Sequence, residues 1–160
     1  MPDWTRFDRA LASRRRALVE RFVEFLRMDT VSQVPARVRA GGEWLAGQMV
    51  DRGVPARVLE TGGNPAVFGH LPCPGARRTV LIYCHYDVKP APPERWLQPD
   101  PFEPVLRRGA AEDGSPAVAL GDVPPDALGD HRLYARGSSD DKGPIWAHLE
   151  AVALMREVGP

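Results

Sequence analysis

The sequence predicts an α/β fold: a three-layer α/β/α sandwich built on a mixed, mostly parallel central sheet. Three features of the 160 residues predict it. The run Thr79-Val80-Leu81-Ile82-Tyr83-Cys84 is almost wholly apolar and bounded by turn residues, the pattern of a central strand covered on both faces. Helical patterns precede this run and another comes after it, so helices are available to cover a sheet. Hydrophobic residues make up 43% of the chain, enough for a buried core and too many for a disordered polymer.

Each element has a local pattern behind it. From about residue 5 to 28, Phe7, Leu11, Leu18, Phe22, Phe25 and Leu26 recur near helical spacing. Arg14, Arg15, Arg16 and Glu20 fall on the other side and read as the solvated face. Val31 to Pro35 breaks the pattern. A second helix is expected from about 37 to 52, with Trp44, Leu45, Met49 and Val50 as its stripe and Gly53 as its stop. Val54–Leu59 and Ala66–Gly69 read as short strands around a Thr61-Gly62-Gly63-Asn64 turn. From Pro90 to Asp130 the prolines at 90, 92, 93, 99, 101 and 104 exclude helix. Phe102–Arg107 and Arg132–Tyr134 can pair as a hairpin, with a surface insertion between them. A last helix is expected from Gly143 to about Val158, burying Ile145, Trp146, Leu149, Val152, Ala153 and Met155.

Composition excludes several classes. Lys plus Arg (21) balance Asp plus Glu (21), leaving no basic field to gather nucleic acid or anionic lipid. The two cysteines, Cys73 and Cys84, make no disulfide framework, and Cys84 within its apolar run reads as a small buried side chain. The opening residues carry no apolar signal core, and no window has the roughly 18 apolar residues of a membrane span. These features predict a soluble protein of the reducing cytoplasm.

Two constellations can carry chemistry. The first is His85-Tyr86-Asp87, directly after the apolar run. Residues i and i+2 of an extended segment share a face, so His85 and Asp87 can meet at the carboxyl end of a central strand, where α/β sheets bind ligands. A metal-binding imidazole needs its other nitrogen held by an acceptor, and Asp87 is placed for that. By itself the pair also fits a strand-end histidine beside a solvated aspartate. The second is Ala135-Arg136-Gly137-Ser138-Ser139-Asp140-Asp141-Lys142-Gly143-Pro144. Its simplest reading is a helix N-terminus with Ser139 or Asp140 as cap. That reading leaves the flanking glycines and Lys142 unexplained, whereas a carboxylate shared by two divalent cations accounts for the paired acids.

Taken in order, VLIYCHYDVKPA (80–91), Trp96 with Asp100-Pro101-Phe102-Glu103-Pro104, and LYARGSSDDKGP (133–144) resemble one family. It is the zinc-dependent dipeptidase family of the carnosinase, acetylornithine deacetylase and succinyl-diaminopimelate desuccinylase type. The likeness is greatest to the dipeptidase branch, and it implies hydrolysis of dipeptides or related amide bonds. It implies two divalent cations, zinc first, with manganese or cobalt as alternatives. His85 would ligate one cation, Asp140 would bridge both, and Asp87 would orient His85. Asp141, Lys142 and Gly143 would support the turn, with a cis Asp140–Asp141 peptide. The resemblance also implies a small-peptide substrate and homodimeric full-length relatives.

The same resemblance implies a general base in a Glu-Glu pair and further acidic and histidine ligands, with a lid or dimerisation domain between them. No Glu-Glu pair occurs in these 160 residues. His70, His131 and His148 read as surface or packing residues. The chain is therefore expected to be the N-terminal portion of a peptidase catalytic domain, supplying part of a two-cation site. A truncated, non-catalytic fragment is the alternative, and a metal-dependent phosphoesterase using the same groups is a third reading.

Overall fold

A computed structural model describes residues 4–159. Helix α1 (Thr5–Arg27) and helix α2 (Pro35–Asp51) lie where the apolar spacing places them. Strands β1 (Ala56–Leu59) and β2 (Ala66–Gly69) pair antiparallel, Ala56 opposite Gly69. Strand β3 (Val105–Arg107) lies between β4 (Ala117–Val118) and β5 (Arg132–Tyr134), antiparallel to both. Helix α3 (Lys142–Val158) closes the chain.

Two cores hold these elements. The larger joins Phe25 of α1, Val38 and Leu45 of α2, Tyr86, and Ile145, Trp146 and Leu149 of α3. Aromatic rings dominate it: Phe25 stacks on Trp44 at 5.1 Å between centroids, and Trp44 on Trp146 at 6.0 Å. Such contacts add about 0.5–1.5 kcal/mol each beyond area burial. Arg52 lies over Trp146 at 4.4 Å and pairs with Glu150 inside the protein. The smaller core joins Leu106, Val123 and Leu128 with Val19 of α1.

Gly41 and Gly42 lie in the middle of α2, where glycine weakens a helix. Packing explains them. A Cβ on Gly41 would sit 2.4 Å from Thr30 Cγ2, and one on Gly42 2.8 Å from the Tyr86 hydroxyl. Thr30 and Tyr86 belong to two segments that meet beside the helix. Thr30 Oγ1 donates to Tyr86 O at 2.6 Å, and Val31 and Val88 form a parallel bridge.

The expected sandwich is not what the described residues form. Their sheets are small and antiparallel, and Thr79–Cys84 pairs with no strand among the described residues. Val80, Leu81 and Tyr83 are each more than 80% exposed. An apolar run specifies that a segment needs cover on both faces, but the cover must come from strands that lie elsewhere in sequence. Just downstream of the run, Tyr86 and Val88 are tied down by the connector between α1 and α2.

Two smaller expectations also change. The insertion after β3 is not merely surface loop, because Val123 and Leu128 are buried and Pro125–Asp130 forms a 3₁₀ turn. The arginines of α1 are not simply solvated: Arg16 donates to the carbonyls of Leu120 (2.7 Å) and Val123, and Arg15 to that of Asp126 (3.1 Å). A charged fork satisfies loop carbonyls that have no strand partner.

Candidate metal centre

The described end of the apolar run and the start of α3 meet. His85 Nε2 lies 2.9 Å from Asp140 Oδ1, although the residues are 55 positions apart. The other ring nitrogen, Nδ1, lies 2.9 Å from the backbone carbonyl of Asp87 and 3.6 Å from its carboxylate. The acceptor at hydrogen-bond distance is therefore the main chain of Asp87, with the carboxylate behind it. Burial opposes charge on the imidazole, but the Asp87 carbonyl and the Asp140 carboxylate outweigh it and raise the His85 pKa. Side-chain exposure of 40% for His85 and 84% for Asp140 leaves both groups open to solvent.

The acids are not used as helix caps. Helix α3 begins at Lys142 with Asp141 as its N-cap residue, and no side chain caps it. The Asp140–Asp141 peptide is cis. Asp140 turns to the His85 ring, while Asp141 Oδ2 accepts the His85 backbone N–H at 3.2 Å. Two consecutive carboxylates thus engage one residue, one through its ring and one through its main chain.

Lys142 and Gly143 hold this turn from beneath. Lys142 is fully buried, and its ammonium donates to Phe25 O (2.9 Å) and Met28 O (2.6 Å) at the end of α1. Burial pulls its pKa down to about 8, against a weaker upward pull from Asp29. A Cβ on Gly143 would lie 2.2 Å from Ser138 O, so only glycine lets the backbone pass this closely. Arg136 stacks over Trp96 at 5.2 Å and ties the proline-rich segment to the same corner.

Three residues have weak signals in sequence. Gln98 is buried and donates to the carbonyls of Asp100, Glu103 and Tyr134, organising the loop before β3. Cys84 packs against the large core at half burial, and its sulfur lies 3.8 Å from Nδ1 of His148. That contact joins two residues whose sequence contexts suggest core filler and surface. His131 hydrogen-bonds Ala127 O within the insertion. Among the described residues, no three or more His, Cys, Asp or Glu side chains form a group that could hold a metal ion. No helix among them is long and apolar enough to cross a membrane.

Comparison with known proteins shows what the chain is similar to. No family model matches the chain. It is 32% identical over 95 residues to the Cys-Gly metallodipeptidase of Schizosaccharomyces pombe, covering 59% of this chain and 16% of that protein. It is 35% identical over 86 residues to the cysteinylglycine-S-conjugate dipeptidase of Corynebacterium striatum, covering 53% and 14%. The fold matches an M20 family metallo-carboxypeptidase from Sulfolobus solfataricus with a TM-score of 0.63 and 27% identity, over 88% of this chain and 27% of that one. It also matches the dipeptidase Dug1p of Saccharomyces cerevisiae with a TM-score of 0.74 and 19% identity, over 98% and 32%.

The chain is similar to dipeptidase-type metallopeptidases in sequence and to an M20 family metallo-carboxypeptidase in fold. It spans about a sixth of the length of the curated relatives it matches.

Proposed function

We propose that this chain supplies part of a two-cation site that hydrolyses dipeptides or related amide bonds, as the N-terminal portion of a peptidase catalytic domain. The 2.9 Å approach of His85 to Asp140 carries this reading. An imidazole nitrogen and a carboxylate oxygen are donors that zinc takes, with manganese or cobalt as alternatives. Both groups reach solvent, and Asp140 has a second oxygen for a second cation. Lewis acidity toward an amide carbonyl is what a bound cation supplies in such a site.

The chain's own residues prepare the site. With the Asp87 carbonyl accepting from Nδ1–H, Nε2 is the nitrogen that can take a cation in place of the proton it shares with Asp140. Asp141 holds the His85 main chain, while Lys142 and Gly143 fix the turn that presents Asp140. On this reading the general base and the remaining ligands would come from residues other than these 160, which hold no Glu-Glu pair. Small peptides fit as substrates because the relatives are named dipeptidases.

A non-catalytic role for the isolated 160 residues is the second reading, favoured by the exposed Val80–Tyr83 run. Zinc titration against a coloured chelator tests the site. His85→Ala and Asp140→Ala are each expected to weaken binding by about ten- to a hundredfold. Unchanged affinity in both variants would remove the site assignment. Dipeptide turnover by the purified chain separates the two readings: rapid hydrolysis that His85→Ala abolishes excludes the non-catalytic one.

A further inference from the structure

A second pair of donors lies on the other side of the same corner. Along the extended segment, neighbouring side chains point to opposite faces, so Cys84 turns away from the side used by His85. Its sulfur packs toward α3 and reaches Nδ1 of His148, one turn and a half into that helix, at 3.8 Å. Asp141 also neighbours the thiol; burial, and then this carboxylate, push the Cys84 pKa up. Thus Cys84 and His85 on one segment face Asp141 and Asp140 on the other, in two parallel sets.

We propose that Cys84 and His148 form a second cation site, distinct from His85 and Asp140, that selects soft or borderline divalent ions such as cadmium or zinc. The argument rests on donor type and separation. Bond lengths of about 2.3 Å to sulfur and 2.0–2.1 Å to nitrogen, at a tetrahedral angle, place the two donors about 3.6 Å apart. The observed 3.8 Å needs almost no movement to meet that spacing. Thiolate and imidazole together prefer cadmium, zinc or copper over magnesium or calcium. His148 is exposed, so an ion reaches the pair from solvent, and water completes its shell. Binding releases the thiol proton to solvent and leaves no other bond changed. Cys73 is exposed and serves as an internal control for thiol chemistry unrelated to the site.

Cadmium titration of the 160-residue chain, monitored by the ultraviolet thiolate-to-metal charge-transfer band, tests this. Wild type and Cys73→Ser are expected to show a saturable band at one equivalent. Cys84→Ser is expected to lose it, and His148→Ala to weaken the midpoint by about tenfold or more. Far-ultraviolet circular dichroism verifies that each variant is folded. The band persisting in Cys84→Ser, or an unmoved midpoint in His148→Ala, overturns the proposal. His85→Ala is expected to leave the band in place. A failure here with His85-dependent zinc binding intact therefore sinks only this second site.

Discussion

Replacing Lys142 with methionine keeps the aliphatic stem packed and removes the ammonium. The Met28 carbonyl at the end of α1 then loses its donor inside the protein, while the Phe25 carbonyl keeps the Met28 backbone N–H. One orphaned buried acceptor costs about 1–3 kcal/mol. Against it stands the desolvation of the charge, which places the Lys142 pKa at about 8 in the folded protein. An unfolded lysine titrates near 10.4, so the folded state disfavours the ammonium by about 3 kcal/mol below pH 8. The two terms oppose each other at neutral pH, and Lys142→Met should be neutral or stabilising by up to about 2 kcal/mol there. Between pH 8 and about 10.4 the unfolded chain holds the extra proton, so wild-type stability rises relative to the variant. Relative to neutral pH, the cost of the substitution should therefore grow by about 2–3 kcal/mol near pH 10. Urea unfolding of both proteins with chelator present, at pH 7 and pH 10, measures the difference. A cost that shrinks on going alkaline would show that the α1 terminus and the Phe25 ring, 4.9 Å away, favour the charge more than burial opposes it.

Other substitutions probe the packing around the site. Gly143→Ala should lower the urea midpoint by an amount equal to about 1–3 kcal/mol or more, because its Cβ meets the Ser138 carbonyl oxygen. Removing one partner of the buried Arg52–Glu150 pair should cost about 3–5 kcal/mol, while the apolar double replacement Arg52→Met with Glu150→Leu costs less than either single change. Additive losses in that double-mutant cycle would show that the pair is not coupled. Leu81→Lys should alter stability by less than about 0.5 kcal/mol and reduce self-association in light scattering, since Leu81 is 86% exposed. A loss of several kcal/mol would place Leu81 inside a core.

The helices are legible because their signal is local. Phe22, Phe25 and Leu26 of α1, and Ile145, Trp146 and Leu149 of α3, recur at helical spacing, and the rings they bring together form the main core. The hairpin of β3 with β5 is legible from short apolar runs bracketing a turn-rich insertion. The state of Thr79–Cys84 is not, because its composition records a demand for cover without naming the neighbour that provides it. Arg16 and Lys142 are hard to read for a related reason. Their carbonyl partners lie more than 100 positions away, and nothing in residue type says which free carbonyl a long cation will find. The glycines of α2 carry a real signal, a helix weakened to allow close approach, that points to packing without identifying Tyr86.

The candidate site forms although the run leading into it is uncovered, and the contacts explain why. His85 is held by the residues on its C-terminal side. Tyr86 is buried against α2 with its hydroxyl on Pro65 O, and Val88 exchanges two backbone hydrogen bonds with the segment after α1. Asp140 is held from the opposite direction. Lys142 is pinned to the end of α1, and the Gly143 backbone is pressed onto Ser138. Both anchors converge on the connector between α1 and α2, so the helical core fixes the distance between imidazole and carboxylate. Covering Val80–Tyr83 adds strand pairing upstream of His85 but leaves these anchors in place. Cation affinity of the His85–Asp140 pair should therefore respond strongly to Tyr86→Ala, which empties the pocket beside Gly42, and hardly at all to Leu81→Lys. The reverse order of effects in a zinc titration would mean that the apolar run, and not the helical core, positions His85.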